Sequence, residues 1–426
     1  MPRRILTRAR ALKFGAVLAV GCLALSACSS SGDDAASTSN NAADESAPPL
    51  TGEPIKIGYG ASLSGPQATN GLGAQAVARA WQKYTNSHGG VNGHPVEIEV
   101  VDTKNTVPGA TSVAKQFLND DSVDAIFLTD LVAEGAMTKL FTNTPVAIIS
   151  GGGSSDLLWS ALPGVFQDVS GSDYTVKAYA DQAKAAGGKK FGWAACAEVA
   201  VCQENGGKAM SYAQSIGMKG VGTQLISASA SSYTAECLSF IRDGADAIAF
   251  NIGFATGTRF ASDCLQQGYT GIFSVINSGF DQKAFGKVPG FRSTGGTNGF
   301  PWWSQSEPAK TYRDAMAKYS PDGIWTSGNS TAIWSSFELL KKALETAKPS
   351  KITRQTVMDA MYTVKNETLD GLLPEPITFT KGKPSKPVGC SWLFKFNAGE
   401  DNPESIEPSK SGNGAKGDLA STCIGY

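Results

Sequence analysis

The chain has 426 residues, of which 41% are hydrophobic and 18% charged. Its 37 basic and 38 acidic side chains nearly cancel, and no basic block stands out, so nucleic acid and other polyanions are poor candidate partners. Beyond residue 28 no stretch is long and apolar enough to cross a membrane.

The chain opens on Arg3, Arg4, Arg8, Arg10 and Lys13, followed by an apolar run over residues 14–27. A charged start, a short apolar stretch and small residues at its end predict a secretory signal rather than a spanning helix. Leu25-Ser26-Ala27-Cys28 resembles a bacterial lipobox. In signals of that kind the cysteine is acylated and becomes the first residue of the mature protein. Residues 1–27 are therefore expected to be a lipoprotein signal peptide, and the protein to sit outside the cytoplasm, anchored to the cell membrane by lipid. Their removal takes away five basic side chains and leaves a net charge of −6.

Residues 28–52 are rich in Ser, Ala, Asn and Asp. They hold too little apolar surface to offset the entropy of ordering and predict a flexible tether. The roughly 370 residues that follow exceed what one core usually serves, so two lobes are expected. Strands are predicted over 55–59, 96–101, 125–128 and 146–149, with helices over 74–87 and 110–119. A second series reads as helices over 174–186, 207–216 and 233–242, with strands over 190–195, 224–226, 246–251 and 272–276. Alternation of this kind predicts open parallel sheets with crossover helices, whose ligands bind at the carboxyl ends of the strands.

Six cysteines remain after Cys22 and Cys28, an even number that suits an oxidising compartment. They allow fifteen pairings in principle. Cys196 and Cys202 flank one short loop, Cys237 and Cys264 lie on helical stretches either side of one strand, and Cys390 and Cys423 share the tail. Those three bridges are the expected set. Zinc is the rival reading, but no Cys-x-x-Cys occurs and His88 and His94 are the only histidines.

Several segments in order resemble the leucine/isoleucine/valine-binding type of solute receptor. They are Ile55-Lys56-Ile57-Gly58, Ser62-Leu63-Ser64-Gly65-Pro66, and His88-Gly89-Gly90-Val91-Asn92-Gly93 before a strand. Further on come Trp302, Pro308-Ala309, Trp325 at the start of a long helix, and Leu369-Asp370-Gly371-Leu372-Leu373-Pro374 before Ile377. The resemblance implies an α/β chain with the type I periplasmic-binding-protein fold. Two open parallel-sheet lobes would be joined by three crossovers near 165–170, 298–303 and 370–376. One lobe would be 53–168 plus 301–372, the other 169–300 plus 373–426. It also implies a monomer that captures a small-molecule ligand in the cleft and docks onto an ABC permease in the membrane.

The family's contacts come from loops at strand ends, and they carry over unevenly. Where amino-acid receptors commonly place an aromatic residue this chain has Asn70, with Gln67 nearby. Asn70 is read either as a ligand hydrogen bond or as half of an Asn-Gly turn. Asp130 is a helix cap or a pocket acid. Leu131 and Val132 replace small hydroxyl residues, which leaves backbone N–H groups to hold a carboxylate. Gly152 and Ser154 lie in the best-matched segment, 150–155, where glycine permits close approach and the hydroxyl aligns with a carboxylate contact. In the second lobe Asn251 and Phe254 follow a strand. Ser278 stands where amino-acid receptors usually have a glutamate for the α-ammonium group, and Asp281 is the nearby substitute. A buried ammonium without an anion would be costly, so the ligand is expected to be amino-acid-like, an amide or an aromatic or apolar carboxylate. Trp302 and Trp303 at the second crossover would stack on ligand or pack the hinge.

Catalysis is not expected. The chain has no Gly-x-Ser-x-Gly elbow, no phosphate-binding Gly-x-x-x-x-Gly-Lys-Ser/Thr loop and no Gly-x-Gly-x-x-Gly after the first strand. No catalytic residue, cofactor or metal is assigned. The alternatives to a transport receptor are a ligand-binding sensor that signals to a membrane partner, and an extracytoplasmic hydrolase that would have to use His88 or His94.

Overall fold

The computed structural model describes residues 49–65, 68–130, 135–150, 156–198 and 200–423. The segments expected to be a signal peptide and most of a tether, Cys28 included, lie outside the described residues, as do Gln67, Leu131, Val132, Gly152 and Ser154. No helix among the described residues is long and apolar enough to cross a membrane.

The run Ile55–Ala61 (β1) buries every side chain except Lys56, as a strand covered on both faces must. It pairs in parallel with Val96–Asp102 (β2) on one side and Ala125–Thr129 (β3) on the other. Ala147–Ser150 (β4) and Val165–Phe166 (β5) complete a five-stranded parallel sheet in the order β2-β1-β3-β4-β5. Gly58 is required in β1, because a Cβ there would lie 2.5 Å from the Phe117 ring. Phe117 belongs to Val107–Asn119 (α2), a helix capped by the Thr106 hydroxyl accepting from Gly109 N–H.

The helix Ala68–Ser87 (α1) packs on the same sheet. It starts six residues earlier than its apolar periodicity suggests. Gly71 lies inside it, where a Cβ would sit 2.0 Å from the Ser62 carbonyl oxygen. Asn70-Gly71 is thus a close approach within a helix rather than a turn.

The second sheet follows the order β12-β11-β10-β9-β8-β6-β7. Its strands are Lys190–Cys196 (β6), Lys219–Ile226 (β7), Ala247–Asn251 (β8), Ile272–Ile276 (β9), Arg292–Thr297 (β10), Cys390–Asn397 (β11) and Glu404–Ile406 (β12). β6 to β10 pair in parallel, and β11 runs antiparallel to β10 and β12. The short Thr422–Cys423 (β13) pairs with the start of β11. Four helices serve this sheet: Ser172–Ala185 (α3), Ala200–Ser215 (α4), Thr234–Arg242 (α5) and Phe254–Gln266 (α6). Phe250, Phe260, Phe273, Phe285 and Phe291 fill its interior, all fully buried.

Late chain returns to the first sheet. Glu307–Tyr319 (α7) and Gly328–Ala347 (α8) pack against α1, and Arg354–Met361 (α9) against α8. Phe337 of α8 stacks on Phe127 at 4.3 Å and on Trp81 at 4.9 Å. Its neighbour Glu338 accepts from the Trp81 indole at 2.7 Å.

The chain passes between the sheets after β5, after β10 and before β11, and the three passages touch. Asn298 donates to the Ser170 carbonyl at 3.2 Å, and Ser170 donates its hydroxyl to the Cys390 carbonyl at 2.8 Å. Ser385 donates to the Val165 carbonyl at 2.8 Å and accepts from Gln167 N–H at 3.1 Å. All three disulfides expected from sequence context are present: Cys196–Cys202, Cys237–Cys264 and Cys390–Cys423.

Candidate ligand-binding cleft

The carboxyl ends of the two sheets approach each other. An ideal Cβ on Gly253, just past β8, would lie 3.7 Å from the Thr69 hydroxyl in the first turn of α1. At a second point, a Cβ on Gly328 at the start of α8 would lie 3.2 Å from Asn277 Oδ1, just past β9. Asn70 is half-buried in that same first turn of α1. At these two points segments of the two lobes come to within side-chain reach of each other.

Asp130 follows β3 and is 1% exposed. Its carboxylate accepts from the Thr103 hydroxyl and, at 3.1 Å, from the Asn105 amide. The acid is thus held by the turn after β2.

On the second lobe, Asn251 ends β8 and donates to the Cys202 carbonyl at 3.4 Å. The bridge from Cys202 to Cys196 ties that carbonyl to the end of β6. Phe254 opens α6 and is half-buried. Ser278 lies in the single turn Asn277–Gly279 after β9, and its side chain lies outside the described residues. Asp281 caps the short helix Gln282–Phe285, accepting from Ala284 N–H at 2.8 Å, and accepts from the Thr326 hydroxyl at 2.8 Å. Burial raises its carboxyl above the ordinary value. Both of its oxygens are engaged by the fold.

Trp302 and Trp303 are 2% and 6% exposed. The Trp302 indole donates to Gln282 at 2.8 Å and its ring stacks on Phe280. Trp303 donates to Ser405 at 2.8 Å and meets Phe394 edge-on at 5.5 Å. Each polar tip thus has a partner within the fold and each ring an aromatic neighbour.

Several buried or half-buried polar residues beside the passages between the sheets carried little sequence signal. Asn277 adopts φ 47° and accepts from Asn298 N–H at 2.7 Å. The first half of α8, from Gly328 to Phe337, is buried throughout although it carries Asn329, Ser330, Thr331, Ser335 and Ser336. The Ser336 hydroxyl lies 3.0 Å from both the Ser150 carbonyl and Asp168 Oδ1. Asp168 is fully buried in the first passage between sheets, and its Oδ2 has no hydrogen-bond partner among the described residues. Burial pushes its carboxyl up to about 7, with the Ser336 hydroxyl acting against the shift. A run of small polar residues inside an otherwise apolar helix was the one trace of this arrangement in the sequence.

The family model for periplasmic binding proteins matches residues 54–401. No curated protein matches the chain. Among solved structures, a leucine-binding protein from Thermotoga maritima is 16% identical over 83% of this chain and 99% of its own, with a TM-score of 0.66. An ABC-transporter solute-binding protein from R. palustris, in complex with 4-hydroxybenzoate, is 16% identical over 83% and 96%, with a TM-score of 0.65. A fatty acid ABC-transporter substrate-binding protein from Thermomonospora curvata is 20% identical over 85% and 93%, with a TM-score of 0.66. These likenesses agree on a fold with two α/β lobes, and the matched family is one of binding proteins rather than enzymes. The chain is a solute-binding protein that belongs to the periplasmic binding protein family.

Proposed function

We propose that the protein is the lipid-anchored receptor of an ABC uptake system, and that its solute is a small carboxylate or amide without an α-ammonium group. The observation that carries the solute class is the state of Asp281. It is the acid nearest the position where amino-acid receptors keep a glutamate, and both its oxygens already serve Ala284 and Thr326. Turning it away from them toward a ligand ammonium would leave those buried donors unpaired, at about 1–3 kcal/mol each. Asn70 and Asn251 supply neutral polar groups from the two lobes, and Phe254 an apolar surface. Relatives of the same fold have been solved with or named for 4-hydroxybenzoate, fatty acids and leucine, which span the classes to be separated.

The lobes close on the solute about the three passages. The closed form then docks onto the permease as a monomer, while the lipid at Cys28 and the tether keep the effective concentration near the membrane high. Thermal-shift titration with leucine, 4-hydroxybenzoate, decanoate and simple amides tests the solute class. A rise in melting temperature with a carboxylate or amide supports it, and a response to leucine above all others removes it.

A further inference from the structure

The turn after β2 touches the loops on both sides of the strand next to it. In the order β2-β1-β3, β1 lies between β2 and β3. Asp102, the last residue of β2, accepts from Leu63 N–H at 2.9 Å, Ser64 N–H at 3.2 Å and the Ser64 hydroxyl at 2.7 Å. That fixes the loop leaving β1. Lys104 N–H also donates to Asp102, at 2.8 Å. These hydrogen bonds hold the Asp102 carboxyl below its ordinary value, although burial opposes them. Lys104 and Asn105 then take φ of 58° and 53° in succession. Consecutive left-handed residues that are not glycine are strained and persist only where surrounding contacts fix them. The bend carries the Thr103 hydroxyl and the Asn105 amide past the end of β1 to the Asp130 carboxylate at the end of β3. Gly65 accommodates it, since a Cβ there would lie 3.0 Å from the Lys104 carbonyl oxygen.

We propose that residues 102–105 are a brace that sets the ends of β1 and β3 relative to each other. Asp102, Thr103 and Asn105 are then positioning residues for the first lobe's side of the ligand cleft. The inference deepens the solute-receptor reading and rests on it for its purpose, but the brace itself is measurable without ligand. Among the described residues, the Asp102 carboxylate reaches the loop after β1 besides its own turn at Lys104, and the Asn105 amide reaches Asp130 after β3. A brace transmits a change from one side to the other, whereas two unrelated local contacts do not.

The test is amide hydrogen exchange on the ligand-free protein carrying Asp102→Asn, Asn105→Gly, or both. Asn105→Gly keeps the left-handed backbone accessible, and Thr103→Val is the second variant for the β3 side. Each single variant is expected to speed exchange about tenfold, the equivalent of one lost hydrogen bond, in residues 62–65 and in residues 125–130 alike. Residues 190–196 of the other lobe should keep the wild-type rate. Exchange that changes only in the segment each residue touches, or in neither, overturns the brace. Failure of every solute in the panel would count against the receptor reading and leave this result intact.

Discussion

Asp168→Asn should make the protein more stable, and increasingly so as pH rises. The wild-type carboxyl is lifted from 3.8 to about 7 by complete burial, so the folded chain holds a proton that the unfolded chain has released. Between those values the native state binds more protons, and stability must fall as pH increases. Above about 7 the loss is complete and the curve is flat. Asparagine mimics the protonated carboxyl, keeps an oxygen for the Ser336 hydroxyl, and has no such dependence. At about 1.4 kcal/mol per pH unit, the advantage of the variant should widen by roughly 2–3 kcal/mol between pH 5 and pH 8. Urea unfolding followed by tryptophan fluorescence, at one-unit steps across that range, reads the difference directly. Any fixed effect of the amide adds equally at every pH, so the slope is the quantity that matters. Parallel stability curves for the two proteins would refute the burial argument.

Three further outcomes are expected. Gly58→Ala should lower stability by about 1–3 kcal/mol, because the new methyl meets the Phe117 ring in a core that cannot expand freely; an unchanged urea midpoint would show that α2 shifts without penalty. Asp281→Ala should lower stability by about 2 kcal/mol, through the lost cap and the unpaired Thr326 hydroxyl, and leave solute selectivity as it was. A change in selectivity would instead make Asp281 a ligand contact. Cys28→Ala should move the protein from the membrane fraction to the medium, and unchanged fractionation would remove the lipid anchor.

The strands that sequence reads well are those whose apolar side chains face helices on both sides, such as β1, β3 and β8. β10 escaped because its sequence, Arg-Ser-Thr-Gly-Gly-Thr, looks like a loop. Gly295 lies under the Phe394 ring, where a Cβ would come within 2.2 Å, and Gly296 lies by Gln182. This strand gave up its side chains so that β11 and α3 could pack onto it, and a pattern of its own residues cannot reveal that. The start of α1 was hidden for the same reason, Gly71 being there for the Ser62 carbonyl rather than for a turn. Loops at strand ends were placed correctly in chain order because the fold's alternation fixes where they fall. What each side chain does in them was not legible. Asp281 and the two tryptophans look free of the fold in the sequence, and only their partners across 20 to 102 residues show that each is also held by it. Asp168 and the brace at Asp102 rest on contacts of the same long-range kind.

Native mass spectrometry of residues 29–426, as purified and after incubation with the carboxylates, amides and amino acids above, tests the central claim most directly. The account predicts one solute molecule per chain, retained by a monomer and matched in mass by a carboxylate or amide. A chain that holds none of these compounds at millimolar concentration, while remaining folded, would contradict a solute receptor of this class.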